Sequence, residues 1–278
     1  MHETGQGGRP GPFFVKMNDE PIGALLETAE EAARIAGAFL DERWDTERAR
    51  HTKGLRDWVT DDDIEAQGLI TDFIRARYPE HAFLTEEEDS TLPAAGQVCW
   101  IIDPIDGTSN YSRYVPLVCI SVAAVAGAQV LAAAIYDPVR REMFSAGAGL
   151  GATYNGAPMA VSALNEPLEA LIAFDWSHVE PLRSGLLPRL GRIAPRVHTL
   201  RAVGTAALTQ AWVAAGRLDA YFNAALKPWD VAAGALLVRE AGGRFTDWEG
   251  KPWDPRHHRE SCLASNGHLH ELLLSLLG

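Results

Sequence analysis

Two aspartates and the small residues after them form the stretch of this chain best suited to chemistry. Asp103 and Asp106 stand three positions apart, and Gly107, Thr108 and Ser109 follow directly. Neighbouring carboxylates repel each other unless a cation lies between them, and hard oxygen ligands favour Mg²⁺, Mn²⁺ or Ca²⁺. The backbone amides that follow could point at an anion. The stretch therefore predicts a metal site beside a phosphate-binding site.

A buried strand is expected to hold this stretch in place. The apolar run 98–102 precedes Asp103 and is typical of a strand covered on both faces. Pro104 cannot donate to a strand ladder, so the strand should end there or leave the sheet. The alternative interpretation is an Asp-Pro turn followed by an Asp-Gly turn, both frequent in loops. The buried strand and the whole run of residues from Asp103 to Ser109 together favour the metal and phosphate site over two ordinary turns.

Other acidic residues lie where they could join the same site. Asp63 follows Thr60 by three positions, as in a helix capping box. Glu86 follows a short strand at residues 83–84, and Asp230 lies in the first turn of an Ala-rich helix. Each also has an ordinary explanation: a helix cap, a solvated acidic run, or compensation of a helix dipole. The local sequence leaves both interpretations open.

Composition limits the classes of protein to which the chain can belong. Its 278 residues are 47% apolar and 22% charged, as in globular proteins, and the net charge of −12 argues against a nucleic-acid-binding surface. Its apolar runs are too short for a membrane span. The three cysteines lie in apolar runs without metal-binding spacing, which indicates buried, reduced thiols. We expect a cytoplasmic protein with neither a membrane nor a nucleic-acid partner.

Hydrophobic patterning predicts an α/β fold in two halves behind a flexible extension at residues 1–17. The α+β half, 18–153, should contain helices at 21–44 and 60–78 and a three-stranded meander at 118–125, 130–136 and 142–145. The α/β half, 154–278, should complete the site. It should alternate strands and helices: 171–174, 181–193, 197–200, 205–215, 218–222, 229–241, 262–265 and 269–277. In the helix at 60–78, the side chains expected to face inward are Ile64, Leu69, Ile70, Phe73 and Ile74.

Taken together, these motifs resemble the inositol monophosphatase family of metal-dependent, lithium-sensitive phosphatases. The resemblance covers nearly the whole chain from about residue 20, and it implies a layered αβαβα sandwich with the site between the halves. The motifs that carry it are Asp57-x-Val59-Thr60-x-x-Asp63, Glu86-Glu87, Trp100-Ile-Ile-Asp-Pro-Ile-Asp-Gly-Thr108, Arg201-x-Val-Gly-Thr-Ala206, Trp229-Asp-Val-Ala-Ala-Gly234 and Glu240-Ala-Gly-Gly243.

The resemblance implies a set of metal ligands. Glu86, Asp103 and the carbonyl of Ile105 would hold a first Mg²⁺. Asp103, Asp106 and Asp230 would hold a second, and Glu86 would also touch a weaker third ion. Mn²⁺ could replace Mg²⁺, whereas Ca²⁺ or Li⁺ would inhibit.

The resemblance also implies roles around the substrate. Asp63 with Thr108 would orient and deprotonate the attacking water. The amides of Gly107 and Thr108, together with Ser109, would bind phosphate oxygens. Ala206 and Asn223 would contact the hydroxyl-bearing part of the substrate. Glu87 would lie beside the metal ligands, and Lys53 would lie in a loop that can close over the site.

Three positions depart from the family pattern. Thr85 replaces a usual Gly, Asn223 stands where inositol phosphatases commonly carry a Glu, and Lys227 lies near Asn223. Since an amide and a carboxylate hold different hydroxyls, the substrate stays open. Inositol 1-phosphate is the first expectation, with histidinol phosphate and fructose 1,6-bisphosphate as alternatives. A regulatory protein on a phosphatase scaffold is the alternative that is not an enzyme. The family resemblance also predicts a homodimer.

Overall fold

Two long helices form an outer layer of the molecule: α1 (Ile22–Arg43) and α2 (Asp61–Arg77). The computed structural model describes residues 20–88, 96–257 and 260–278, so the predicted extension at 1–17 lies outside the described residues. Helix α1 buries one apolar stripe that includes Leu25 and Leu40, as its periodicity predicts. No helix among the described residues is long and apolar enough to cross a bilayer.

The inward face of α2 differs from the prediction. Ile70 and Ile74 are buried as expected, but Ile64 and Leu69 are exposed at 56% and 37%. Asp62 and Asp63 are buried instead, because the first turn of α2 faces polar partners at the end of a sheet. Asp62 accepts a 2.8 Å hydrogen bond from the Tyr111 hydroxyl. The predicted inward positions of Ile64 and Leu69 were therefore wrong.

The first large sheet has seven strands and carries the aspartate motif. Strand β3 is parallel to β4, the remaining neighbours are antiparallel, and the order is β3-β4-β5-β6-β7-β8-β9. A separate antiparallel hairpin, β1–β2, precedes it. The predicted meander corresponds to β5, β6 and β7. The strands are β1 (Arg50–Gly54), β2 (Asp57–Thr60), β3 (Ala82–Thr85), β4 (Val98–Asp106), β5 (Cys119–Ala126), β6 (Gln129–Asp137), β7 (Glu142–Gly147), β8 (Gly151–Tyr154) and β9 (Ala157–Pro158).

A second sheet of five strands has the order β11-β10-β12-β14-β13. The predicted strand at 197–200 begins two residues later than expected, and β13 had not been predicted. The first sheet continues beyond residue 153, since β8 ends at Tyr154 and β9 begins at Ala157, and the division into halves at residue 153 stays a prediction. The strands are β10 (Leu171–Phe174), β11 (Thr199–Ala202), β12 (Ala220–Leu226), β13 (Arg244–Thr246) and β14 (Glu260–Ser265).

The remaining helices complete five layers. The short helix α3 (Thr108–Tyr111) follows β4, and the longer ones are α4 (Glu180–Ile193), α5 (Ala206–Ala214), α6 (Pro228–Glu240) and α7 (His270–Leu277). Helices α5 and α6 share a buried apolar cluster with both sheets, and α4 and α7 cover the outer face of the second sheet. Helices α1 and α2 cover the outer face of the first. The αβαβα sandwich is therefore confirmed.

Candidate active site

Strand β4 ends in a bulge that turns two aspartates toward α5 and α6. Asp103 pairs with Ser121 and Asp106 with Cys119, so β4 has one residue more than β5 in this interval. The strand continues past Pro104 to Asp106, beyond the end predicted at the proline, because the bulge accommodates Pro104. Every residue of β4 is buried. The aspartates are thus held by a rigid, buried element.

Gly107 makes the turn from β4 into α3. Its φ of +98° lies in the left-handed region, where a side chain is strained. A Cβ at this position would lie 2.9 Å from the carbonyl oxygen of Leu117. The short helix α3 follows Gly107 and places Thr108 and Ser109 at the edge of the same cleft as the aspartates.

Asp63 and Thr108 form a hydrogen-bonded pair across 45 residues of sequence. The Thr108 hydroxyl donates to Oδ1 of Asp63 at 2.9 Å, and Oδ2 of Asp63 accepts from the backbone and the hydroxyl of Thr60. Burial raises the pKa of Asp63 to about 6, although the hydrogen bonds from Thr60 and Thr108 act to lower it. The Thr108 oxygen keeps its lone pairs for another donor.

Asp106 joins strand β4 to the first turn of α5. It accepts hydrogen bonds from the Thr205 hydroxyl at 2.5 Å and from the amides of Ala206 and Ala207 at 3.1 and 2.6 Å. A carboxylate at a helix N-terminus is stabilised by the unpaired amides and the dipole. The Asp106 carboxylate therefore fixes the first turn of α5, including Ala206, against β4.

Four carboxylates lie close enough to influence one another. Burial raises the pKa of Asp103 well above its ordinary value, and the charges of Glu86, Asp106 and Asp230 raise it further. Burial also raises the pKa of Glu86 to about 7, with Lys53 acting against it and Glu87 adding to it. A shared divalent cation would relieve this repulsion. The donor set, all hard oxygen, fits Mg²⁺ or Mn²⁺.

In the present side-chain arrangement, no three His, Cys, Asp or Glu side chains of the described ranges are grouped so that they could hold a metal ion. Some oxygens of these carboxylates already accept hydrogen bonds from backbone amides of the protein. Asp230 Oδ2 accepts the amide of Lys227 at 2.8 Å, and Asp103 Oδ1 accepts that of Ile105 at 3.1 Å. The residues fit a metal by their chemistry and proximity, and binding would require these side chains to rearrange.

Lys53 supplies a positive charge at this acidic cluster. Its ammonium lies 3.1 Å from Oε1 of Glu86 and 2.6 Å from Oε1 of Glu87. The lysine comes from hairpin β1–β2, so the hairpin is tied to the end of β3. The two acids raise the pKa of Lys53 although burial acts to lower it. Glu87 thus lies beside the predicted metal ligands, and so does Lys53, which is on strand β1 of the hairpin and not in a loop as predicted.

A cleft of about 660 Å³ brings most of the predicted site residues together. Asp63 is absent from its lining and contacts it through Thr108. Lys53 lines an adjoining depression of about 440 Å³ that shares Glu86, Asn223 and Asp230. The predicted residues that line the main cleft are Glu86, Asp103, Ile105, Asp106, Gly107, Thr108, Ser109, Ala206, Asn223 and Asp230.

Asn223 is buried at the base of the cleft with only 2% of its surface exposed. Its Oδ1 accepts the amide of Ala225 at 3.0 Å, and its Nδ2 donates to the Tyr221 hydroxyl at 3.3 Å and to the carbonyl of Asp175 at 3.4 Å. A carboxylate at this position could not make the two donations. The asparagine therefore fits its own surroundings.

Sequence reasoning missed a clamp that positions the loop before α5. Oδ1 of Asp175 accepts the amides of Val203 and Gly204 at 3.0 and 2.7 Å, and Nδ2 of Asn110 donates to the Val203 carbonyl at 3.0 Å. Burial raises the pKa of Asp175 to about 7. Asp175 lies in the loop after β10 and Asn110 in the four-residue helix α3, far apart in sequence, so no periodic signal marks them.

Basic and aromatic residues at the mouth of the cleft were also missed. We call this set the rim: Arg56, Trp58, Trp176, His178 and Arg183. Arg56 and Trp58 come from the β1–β2 hairpin and its turn, and the others from the loop after β10 and the first turns of α4. A salt bridge between Arg56 and Glu180 joins the two groups. Isolated residues in loops give no recognisable motif.

The chain belongs to the inositol monophosphatase family. The model of that family matches residues 23–278. The chain is 37% identical over 229 residues to Nus factor SuhB of Escherichia coli, covering 81% of this chain and 86% of that protein. It is 35% identical over 255 residues to an inositol-1-monophosphatase of Synechocystis, covering 91% and 88%. The recognition made from the sequence motifs is confirmed.

Solved structures agree with this assignment. The extragenic suppressor protein suhB from Bartonella henselae has a TM-score of 0.85 and 33% identity, covering 91% of this chain and 98% of that one. An IMPase/NADP phosphatase complexed with Mg²⁺ and phosphate has a TM-score of 0.82 and 26% identity, covering 92% and 95%. The fold is thus that of family members that include metal-bound phosphatases.

Proposed function

We propose that this protein is a Mg²⁺-dependent phosphomonoesterase that hydrolyses a small polyol or sugar phosphate, with inositol 1-phosphate as the first candidate. The observation that carries the proposal is the cluster of Glu86, Asp103, Asp106 and Asp230 beside the Asp63–Thr108 pair in one cleft. Family membership supports a phosphatase, and the Mg²⁺ and phosphate in a related structure support the metal.

In this proposal the carboxylates hold two or three ions. Glu86, Asp103 and the Ile105 carbonyl would hold one, and Asp103, Asp106 and Asp230 would hold another. Bound Mg²⁺ would neutralise phosphate charge and lower the pKa of a coordinated water. The buried strand β4 would fix the ligands from one side, and the first turn of α6, with Asp230, from the other.

The protein's own residues supply the proton path. Thr108 donates its hydroxyl hydrogen to Asp63, so its lone pairs can accept a hydrogen bond from the attacking water and orient it. A proton leaving that water can pass through the Thr108 hydroxyl to Asp63. A pKa of about 6 keeps Asp63 largely ionised at neutral pH, as a base requires.

Substrate binding uses the turn after β4 and the start of α5. The amides of Gly107 and Thr108, with Ser109, would bind phosphate oxygens, while Ala206 and Asn223 would face the alcohol part. Glu87 and Lys53 would adjust the charge beside the metals. We further propose a cytoplasmic homodimer without a membrane or nucleic-acid partner. The buried free thiols Cys99, Cys119 and Cys262 support a reducing compartment.

Phosphate release from a substrate panel tests the function. The panel contains inositol 1-phosphate, histidinol phosphate, fructose 1,6-bisphosphate and 4-nitrophenyl phosphate, each with Mg²⁺ or with EDTA. We expect release with Mg²⁺ only, and the highest kcat/KM identifies the substrate class. Absence of Mg²⁺-dependent release across the whole panel would contradict the proposal.

A second candidate is a protein-binding role on the same scaffold. It is favoured by the relatives named Nus factor SuhB, such as that of Escherichia coli. The complete carboxylate set argues for the enzyme, since an interaction surface alone would not require these buried charges. An inactive protein that co-purifies with a defined partner would favour this second role.

A further inference from the structure

Arg183 lies at the cleft mouth without a matching acid. It is half-buried, and its Nη1 donates to the Ser177 carbonyl at a long 3.4 Å. Glu180, three residues earlier on α4, forms its salt bridge with Arg56 instead and feels the charge of Arg183 only at longer range. Within the described ranges, no carboxylate forms a salt bridge with Arg183. Its guanidinium thus keeps most of its hydrogen-bonding capacity.

Trp176 holds this guanidinium in a defined place. The Arg183 carbon Cζ lies 4.9 Å from the centre of the Trp176 ring, and the ring itself packs edge-on against Phe174 with centroids 5.4 Å apart. A stacked guanidinium loses less side-chain freedom on binding a ligand, and its planar fork matches phosphate or carboxylate oxygens. One face of Trp176 is covered by Arg183, which disfavours stacking of a planar base there.

The acidic residues of the cleft leave a positive charge at the rim that could bind a second negative group. Asp175 is turned to the amides of Val203 and Gly204, and burial raises its pKa to about 7, which weakens its charge near neutral pH. Asp57 also lines the cleft, beside Arg56 at the turn of the hairpin. Arg56 is matched by its salt bridge with Glu180, and Asp57 is only partly exposed. Arg183 is therefore the rim cation that no carboxylate of the described residues matches in a salt bridge.

We propose that Arg183, held against Trp176, binds a second anionic group of the substrate, a phosphate or a carboxylate, at the end away from the bond that is cut. This inference rests on the proposed phosphatase function and specifies its substrate class. Bisphosphates and phosphorylated acids would then rank above neutral polyol monophosphates, including inositol 1-phosphate, which is the first candidate on family grounds. A cleft of about 660 Å³ has the size of ordinary small-molecule sites, so it can take both ends of such a compound.

Three six-carbon substrates test the subsite in wild-type protein. Glucitol 6-phosphate has a neutral far end, gluconate 6-phosphate carries a carboxylate there, and glucitol 1,6-bisphosphate carries a phosphate. Steady-state kinetics with Mg²⁺ should give the doubly anionic compounds a kcat/KM about tenfold or more above that of the neutral one. The better of the two identifies the preferred anion. Equal kcat/KM for all three would overturn the proposal.

Variants at Arg183 test whether this residue causes the preference for doubly anionic compounds. Arg183→Gln should remove it, mainly by raising KM for the doubly anionic compounds about tenfold or more, and should change glucitol 6-phosphate kinetics less than about twofold. Arg183→Lys should restore part of the preference. Arg189→Gln is the matched control, because Arg189 also lies on α4 and stacks on a tryptophan, Trp248, but does not line the cleft. A preference that survives in Arg183→Gln would overturn the assignment.

A further measurement separates this inference from the function on which it rests. If wild-type protein hydrolyses neither these three compounds nor any member of the first panel, the phosphatase proposal fails, and calorimetric binding of the three compounds then tests the subsite alone. Tighter binding of gluconate 6-phosphate than of glucitol 6-phosphate, lost in Arg183→Gln, would support it. Equal binding of the two by wild-type protein would refute it. Thermal unfolding of each variant shows whether the fold is retained.

Discussion

The floor and the rim of the cleft are built in opposite ways. By the floor we mean Asp63, Glu86, Asp103, Asp106, Thr108 and Asp230. Its members lie on strand ends and first helical turns, and Asp63, Asp103 and Asp106 are at most 7% exposed. The rim lies largely on a hairpin turn and a loop, and Arg56 and Arg183 interact with side chains near the surface. The floor holds its carboxylates in fixed, buried positions, whereas the rim carries charged side chains nearer the surface.

This difference separates the bond that is cut from the molecule that carries it. Buried carboxylates that repel one another destabilise the fold unless a cation joins them. We therefore infer that the floor serves a chemical role. Rim groups keep much of their hydration and can be exchanged at little cost to stability. We therefore expect floor substitutions to lower kcat for every substrate and rim substitutions to change the order of preference among substrates.

The largest loss of activity is expected for Asp103→Asn. Asp103 is shared by both proposed metal positions, and even residues that merely orient metal ligands contribute about ten- to hundredfold. We expect kcat to fall by more than about a hundredfold. The control is Asp61→Asn, the same substitution at a side chain that is 71% exposed at the start of α2. Activity close to wild type in Asp103→Asn would refute the assignment of the floor.

Thr108→Val should lower kcat by about a hundredfold with little change in KM. Valine has nearly the same shape but neither donates to Asp63 nor accepts from water. Thr108→Ser retains the hydroxyl and serves as the control. The proposed proton path is wrong if valine and serine variants have the same kcat.

Local sequence could predict the positions of some floor residues on their elements, whereas the roles of Asp63, Glu86 and Asp230 came from the family resemblance. Asp103 and Asp106 follow a continuous apolar run, and Thr60 with Asp63 has capping-box spacing. The helix positions of Ile64 and Leu69 could not be predicted, since the polar partner of Asp62, Tyr111, lies 49 residues away. The rim and Asp175 were missed for the same reason: their partners come from distant loops, and no local period reports such contacts.

Asp175→Ala is expected to lower kcat/KM about tenfold, an intermediate effect, because it removes the acceptor that holds Val203 and Gly204. The loop leads into the first turn of α5, whose amides donate hydrogen bonds to the Asp106 carboxylate. Asp175→Asn keeps an oxygen acceptor and should stay close to wild type. An asparagine variant as impaired as the alanine variant would show that charge, rather than the clamp, is required.

The floor should make the metal-free protein less stable as pH rises. The pKa values of Asp63 and Glu86 in the folded state, about 6 and 7, lie above their ordinary values, so protonation stabilises the fold at low pH. This stability is complete below about pH 4 and is lost as pH rises through 6 and 7. For Asp63 alone the change is on the order of 3 kcal/mol.

Thermal unfolding in EDTA from pH 5 to pH 8 measures this effect. Tm should fall across that range, and Mg²⁺ should raise Tm more at pH 8 than at pH 5. Protein with Asp61→Asn should behave like wild type, because that residue lies on the surface. A Tm in EDTA that increases steadily to pH 8 would contradict the raised pKa values.

The smallest predicted effect is at the base of the substrate pocket. Asn223→Glu introduces the carboxylate common in inositol phosphatases, and kcat/KM for inositol 1-phosphate should rise a few-fold, on the order of one new hydrogen bond. Lost donations to Tyr221 and Asp175 limit the gain. Asn223→Gln is the neutral control. If both variants have equal kcat/KM, the position does not select hydroxyls by charge.

The central claim is that the floor is a metal-dependent catalytic site. Its most direct test is phosphate release by EDTA-treated wild-type protein, on the best substrate of the panel, as Mg²⁺ is added back. We predict no release without Mg²⁺ and a saturable recovery as the ion is restored. Full phosphate release by the metal-free protein, unchanged by added Mg²⁺, would contradict the account.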